Sequence, residues 1–131
     1  EAYQYCVANN IPLMITERSV MDSIEIFSRM CIKDTAFYDT MYSYLESYQQ
    51  YLPQYYVYIQ SDPVNCLQRI RQRNRKEEDG IGIEYLQSLH QYTESFIEKV
   101  PDEIKIVYNM ENKTKVRVAT EVGEMIGMIR M

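Results

Sequence analysis

The sequence predicts an α/β fold with a mostly parallel sheet, on three observations. Short β-branched or aromatic runs occur at Ile11–Thr16, Tyr55–Ser61 and Glu103–Met110. Between them lie segments long enough for one or two helices, with apolar residues at steps of three and four. No pair of runs is joined by a hairpin turn, so successive strands must be connected by helical crossovers and lie parallel. The 131 residues fit one ordinary domain, with no repeat or linker visible.

The elements follow in the order β-α-α-β-α-α-β-α after a short leading helix. "EAYQYCVANN" reads as the end of a helix closed by Asn9 and Asn10. "IPLMIT", Ile11–Thr16, reads as a buried parallel strand. A helix from Ser19 to about Ile32 places Val20, Ile24, Phe27 and Cys31 on one face. A second runs from Thr35 to Leu52, lined by Tyr38, Met41, Tyr42, Leu45, Tyr48 and Leu52, and Pro53 ends it. "YYVYIQS" is the next strand. Asp62 is a natural N-cap and Pro63 suits the first helical position. That helix enters a charged block, and Gly80 and Gly82 mark a loop. A long helix over Ile83–Val100 stops at Pro101. "EIKIVYNM" is the last strand, and a final helix runs from about Lys115 to Arg130.

Composition narrows the function classes. The net charge is −5, from 14 Lys and Arg against 19 Asp and Glu. A general nucleic-acid binder needs an extended basic surface, so that class is disfavoured. The single histidine, His90, leaves no histidine-based metal site, and no GxSxG accompanies it. No apolar run reaches the roughly 20 residues of a membrane span. The start has neither the basic nor the apolar part of a signal peptide. Cys6, Cys31 and Cys66 are widely spaced and form no CxxC, which points to reduced, mostly buried thiols. The expected compartment is the cytoplasm, with mitochondrion and nucleus left open.

Positive charge is concentrated in "QRIRQRNRKEEDG", Gln68–Gly80. In a helix Arg69 and Arg73 face one way, with Arg71 and Arg75 forming a neighbouring row. Guanidinium forks match phosphate oxygens and stay charged. A solvated helix face with ion pairs to Glu77 and Glu78 has the same string. In "ITERSVMDS", Glu17 and Arg18 follow a strand and precede a helix, where α/β sheets bind ligands. A carboxylate there suits Mg²⁺, although a local ion pair beside an N-cap at Ser19 fits as well.

"ERS" at Glu17–Ser19 followed by "RIRQRNRKEEDGIGIEYLQSLH" at Arg69–His90 resembles the deoxynucleoside kinase family. The likeness covers about Pro12 to Phe96, and the rest more weakly. It implies a P-loop-kinase-like three-layer α/β fold and transfer of the γ-phosphoryl of ATP to a deoxynucleoside 5′-hydroxyl. It points to Glu17 for Mg²⁺ and to Arg18 near the reacting hydroxyl. Arg69, Arg73 and Arg75 match the phosphate-contacting arginines of the lid, about 69–82, whereas Arg71 has no match and is expected to be solvated. Glu78 matches the glutamate on the sugar 3′-hydroxyl, and Phe27 the ring stacked on the base. Ser23 stands where deoxycytidine kinases carry aspartate, with Asp22 one place early. The small residue favours thymidine or another pyrimidine deoxynucleoside. Asn109, Met110, Glu111 and Asn112 resemble the loop touching adenine. The family pairs as homodimers, and the face on Thr35–Leu52 is a candidate interface.

The departure is that GxxxxGK[ST] does not occur, since the four glycines all lie from Gly80 onward. The family's phosphate loop, its general base and its central strand are expected upstream. The chain is therefore expected to be the C-terminal part of such a kinase, and inactive alone. A thymidylate-kinase-like enzyme and a non-catalytic interaction module are the alternatives.

Overall fold

The computed structural model describes residues 1–129, and Arg130 and Met131 lie outside them. Helix α1 is Ala2–Ala8. Helix α2 covers 20–31: a first turn at Val20–Asp22, a wide i→i+5 turn at Ser23–Ser28, and a last turn at Arg29–Cys31. Helix α3 is Thr35–Glu46, strand β1 is Tyr56–Gln60, and helix α4 is Pro63–Arg73. Helix α5 is Ile83–Lys99, strand β2 is Lys105–Asn109, and helix α6 is Lys115–Gly127.

The sheet is parallel as expected, with Tyr56 opposite Lys105 and Gln60 opposite Asn109. Among the described residues it has two strands rather than three. Ile11–Thr16 forms no strand and is exposed along its length, Ile15 at 69%. A parallel strand exists only through bonds to a neighbour, and among the described residues no strand pairs with this run.

The core sits between α2, α5 and β1. Ile26, Phe96, Ile97 and Val100 form its centre, with Met21, Phe27, Met30, Tyr56 and Tyr58 packed around them. Tyr56 meets Phe96 edge to face, ring centroids 5.6 Å apart. At the rim of this apolar contact lies a buried charge, Glu25. Its carboxylate pairs with Arg29 at 2.9 Å and with Lys99 of α5 at 3.8 Å. The wide turn brings Ile24, Glu25 and Ile26 all to the interior. An ordinary turn spreads three successive residues over 200° of the helix circumference and could not bury all three. The anticipated face of α2 is thus redrawn, for Val20 and Cys31 are exposed.

Helix α3 is shorter than expected. It stops at Glu46, and Gln49–Tyr51 form a single tight turn before Pro53. Tyr38, Met41, Tyr42 and Leu45 face inward as read, Leu45 being buried. Tyr38 donates to Ser28 O at 2.9 Å, and Tyr42 accepts from Arg29 at 3.0 Å. Tyr48 falls outside the helix and stacks on exposed Tyr44, centroids 4.9 Å apart. The cysteines are all free, as read, but they are not buried: Cys31 is exposed, and Cys6 and Cys66 are half-buried. No described helix is long and apolar enough to cross a membrane.

Candidate nucleotide and nucleoside site

Both strands release the chain at their carboxyl ends into polar segments. β1 passes through Ser61 to Asp62, which caps α4 by accepting from Val64 N at 2.8 Å. Pro63 occupies the first turn, as its fixed φ favours. Helix α4 ends at Arg73 because Asn74 turns left-handed, φ 50°. Asparagine tolerates that conformation better than most residues. The arginine block is therefore not one helix. Arg69, Arg71 and Arg73 lie on α4, while Arg75 belongs to the loop and forms no second helical row with Arg71.

The fold-back after Asn74 sets the pairing. Arg73 grips Glu78 with two nitrogens, Nη2–Oε1 at 2.6 Å and Nε–Oε2 at 3.2 Å. Arg75 stands 4.0 Å from the same carboxylate. These are loop contacts rather than the i, i+4 pairs of a solvated helix, and Glu77 is exposed. Arg71, expected to be solvated, instead donates to the carbonyls of Glu78, Asp79 and Ile81, the last at 2.7 Å. One guanidinium satisfies three carbonyls of a loop that has no ladder of its own. Arg71→Met should free this loop. With hydrogen bonds worth about 1 kcal/mol after solvent screening, tryptic cleavage after Arg75 and Lys76 should rise about fivefold by mass spectrometry. An unchanged rate would mean that Arg71 holds nothing.

Arg69 belongs to a different group. Its Nη1 donates to Ser61 Oγ at 2.5 Å, and its Nη2 lies 3.8 Å from Glu111. Glu111 follows β2 and accepts from Ser61 Oγ at 2.6 Å, Asp62 N at 2.7 Å and Asn65 Nδ2 at 2.6 Å. The hydrogen bond from Ser61 and that from the Asp62 N–H hold its carboxyl below the usual range, with smaller help from Asn65 and Arg69. A lowered value means that the tie is complete above the ordinary carboxylate range and is lost as pH falls through the lowered one. Arg69, Glu111 and Asn112 line a polar pocket of about 430 Å³, with Asn65, Gln72 and Thr114. Asn112 is left-handed, φ 58°. Asn109 accepts from Glu111 N at 2.8 Å, which tightens the loop.

The third group opens α2. Arg18 has φ 64°; the other described non-glycine residues with positive φ are Asn10, Asn74 and Asn112. An arginine held in the left-handed region is a strained choice of the kind found at functional sites. Its guanidinium lies over the Phe27 ring, 4.8 Å from the centroid. Ser19 caps the helix, and Asp22 accepts from Ser19 N at 2.7 Å and Ser19 Oγ at 2.8 Å. Asp22 is thereby occupied within the backbone turn, while Ser23 beside it is exposed. Glu17 is exposed too. No cluster of three His, Cys, Asp or Glu suited to a metal occurs among the described residues. A lone exposed carboxylate still fits Mg²⁺, which keeps several waters and shares phosphate oxygens.

Among the described residues, no hydrogen bond or ion pair joins Glu17, Arg18, Ser23 or Phe27 to Arg69, Arg73 or Arg75. The groups gather on three neighbourhoods: the start of α2, the end of α4, and the exits of β1 and β2. Sequence reasoning missed Ser61, Asn65 and the bridging carboxyl of Glu111, because the contacts span about fifty residues. It also missed Glu25, whose place within an apolar face was the available signal.

A parallel strand pair with arginines and polar loops beyond its carboxyl ends defines an α/β protein of the ligand-binding type. The chain belongs to the deoxynucleoside kinase family, whose model, described as deoxynucleoside kinase, matches residues 2–127. Human deoxycytidine kinase is 30% identical over 95 residues, which is 66% of this chain and 36% of that kinase. The mitochondrial deoxyguanosine kinase of Xenopus laevis is 27% identical over 109 residues, 76% of this chain and 41% of that protein. The thymidine kinase of ictalurid herpesvirus 1 is 38% identical over 47 residues, 36% of this chain and 21% of that protein. The chain spans little more than a third of the length of the deoxycytidine kinases that it matches.

Proposed function

We propose that this chain forms the lid-bearing part of an ATP-dependent deoxynucleoside kinase that pairs as a homodimer. The observation that carries this is the Arg73–Glu78 grip at 2.6 Å. It joins, inside one lid, a donor fork suited to phosphate and an acceptor suited to a sugar hydroxyl. In the transfer the 5′-oxygen bonds to the γ-phosphorus and the β–γ bridging P–O bond breaks. ADP keeps the electron pair, and the hydroxyl proton passes to a base that these residues do not supply. Arg69, Arg73 and Arg75 meet charge on the transferring group, and Arg18 orients the hydroxyl. Glu78 accepts from the 3′-hydroxyl, Phe27 stacks on the base, and the backbone of 109–112 meets adenine. Glu17 would hold Mg²⁺, which when bound neutralises charge on the phosphates.

Thymidine or another pyrimidine deoxynucleoside is the favoured substrate. Two observations support this: Ser23 is small and exposed, and Asp22 is tied into its cap, so it is not free to read an amino group. The test supplies ATP with thymidine, deoxycytidine, deoxyguanosine or thymidine monophosphate to the kinase that carries this chain together with a phosphate loop. A 5′-monophosphate formed with highest kcat/KM from a pyrimidine deoxynucleoside is expected. Preference for the monophosphate would replace this reading with a thymidylate-kinase-like one. No transfer to any of them would leave an interaction module.

A further inference from the structure

Glu111 is a carboxylate in the polar pocket lined by Arg69, itself read as phosphate-contacting, and a negative charge there requires a reason. A bare negative charge beside nucleotide phosphates weakens their binding. Glu111 is not bare, since its two oxygens take three hydrogen bonds, from Ser61 Oγ, Asp62 N and Asn65 Nδ2. Those donors come from the exit of β1 and the first turn of α4, while Glu111 comes from the exit of β2. The carboxylate therefore ties the 109–112 loop to the base of the arginine-bearing helix.

The hydroxyl of Ser61 carries the effect onward. A serine has one proton to give and lone pairs to accept with. The hydroxyl donates to Glu111, so its oxygen faces Arg69 as an acceptor, and Nη1 donates to it at 2.5 Å. With Nη2 also 3.8 Å from Glu111, the guanidinium is held from behind. Most of its five N–H donors remain for another anion. A long arginine on an exposed helix face otherwise loses rotamer freedom on being fixed, and this arrangement holds its guanidinium in place through the protein's own groups.

We propose that Glu111 is a positioning residue for the phosphate donor: through Ser61 it presents Arg69, and through Asp62 and Asn65 it holds the 109–112 loop at the strand ends. This rests on the reading of Arg69 and that loop as nucleotide-facing. The test compares Arg69→Ala, Glu111→Ala, the near-isosteric Glu111→Gln, and the double variant Arg69→Ala/Glu111→Ala in the kinase that carries this chain. It reads the KM of ATP, the KM of the deoxynucleoside, kcat, and the Kd of a fluorescent ATP analogue. Glu111→Ala should raise the KM and Kd for the nucleotide about tenfold, the scale on which supporting partners act. The deoxynucleoside KM should stay within about twofold. Adding Glu111→Ala to Arg69→Ala should cost little more than Arg69→Ala alone, because residues in one network are non-additive. Glu111→Gln should fall between, since its amide keeps one acceptor oxygen and the side-chain volume.

Additive effects, or equal losses for both substrates, would overturn the proposal in favour of a merely structural tie. Glu111 variants with unchanged nucleotide binding beside a damaged Arg69→Ala would overturn it while the reading of Arg69 stands. An Arg69→Ala variant with unchanged ATP parameters would remove that reading, and the proposal with it.

Discussion

Arg73→Ala in the kinase that carries this chain is expected to lower kcat by about 10²-fold or more. That is the worth of a preorganised charge-stabilising donor at a reacting group. The pairing with Glu78 shapes the outcome. Arg73 spends two nitrogens on that carboxylate. A nucleoside hydroxyl on Glu78 and a phosphate on Arg73 would then share the pair. Loss of Arg73 should therefore also unsettle Glu78 and raise the deoxynucleoside KM, though less than kcat falls. Arg73→Lys should not restore the rate, because an ammonium cannot form the two-pronged contact. Glu77→Ala, at an exposed neighbour, serves as the control and should be near neutral. A kcat for Arg73→Ala within threefold of the parent would reduce the lid arginine to a surface ion pair.

Phe96→Ala should be the most damaging change to folding. Phe96 is 6% exposed and lies at the centre of the cluster that joins α5 to α2 and β1. Truncation removes the edge-to-face contact with Tyr56 and leaves a cavity against Ile26, Ile97 and Val100. Such losses cost about 3–5 kcal/mol. Whole-domain stabilities run about 5–15 kcal/mol, so a drop in Tm of roughly 10–20 °C follows. Circular dichroism during heating measures it. Val116→Ala on α6, where the side chain is 76% exposed, should stay within about 0.5 kcal/mol. If Phe96→Ala melted with the parent, the contact between α2, α5 and β1 would not be the core.

The core explains why Glu25 is tolerated at its rim. Arg29 approaches from the same helix and Lys99 from α5, so the carboxylate is paired from both sides. Removing either partner exposes a cost that the intact cluster hides. The wide turn at Ser23–Ser28 is the backbone counterpart of this arrangement, and such turns favour functional positions. Ser23 and Phe27, both proposed to face the nucleoside, lie within it.

Elements whose causes are local could be read from the residues alone. Asp62 and Pro63 start α4, Asn9 and Asn10 close α1, and Pro101 follows α5. The aromatic and β-branched runs of β1 and β2 declared themselves, and their separation by two helices required a parallel pair. The motifs at Glu17–Ser19 and Arg69–His90 also carried the family, because residue types at fixed spacing need no coordinates.

Features that depend on distant partners emerged with the folded chain. Ile11–Thr16 has the composition of a strand, yet a strand is a relation between two segments, and no strand among the described residues pairs with it. The arginine block reads as one helix with two rows until Asn74 turns left-handed and ends it. Arg69 then serves Ser61 and Glu111, Arg71 holds the loop carbonyls, and Arg73 grips Glu78. Caps and helix stops act within about four residues, so the string contains their cause. A contact such as Ser61–Glu111 spans fifty residues and exists only once β1 and β2 are side by side.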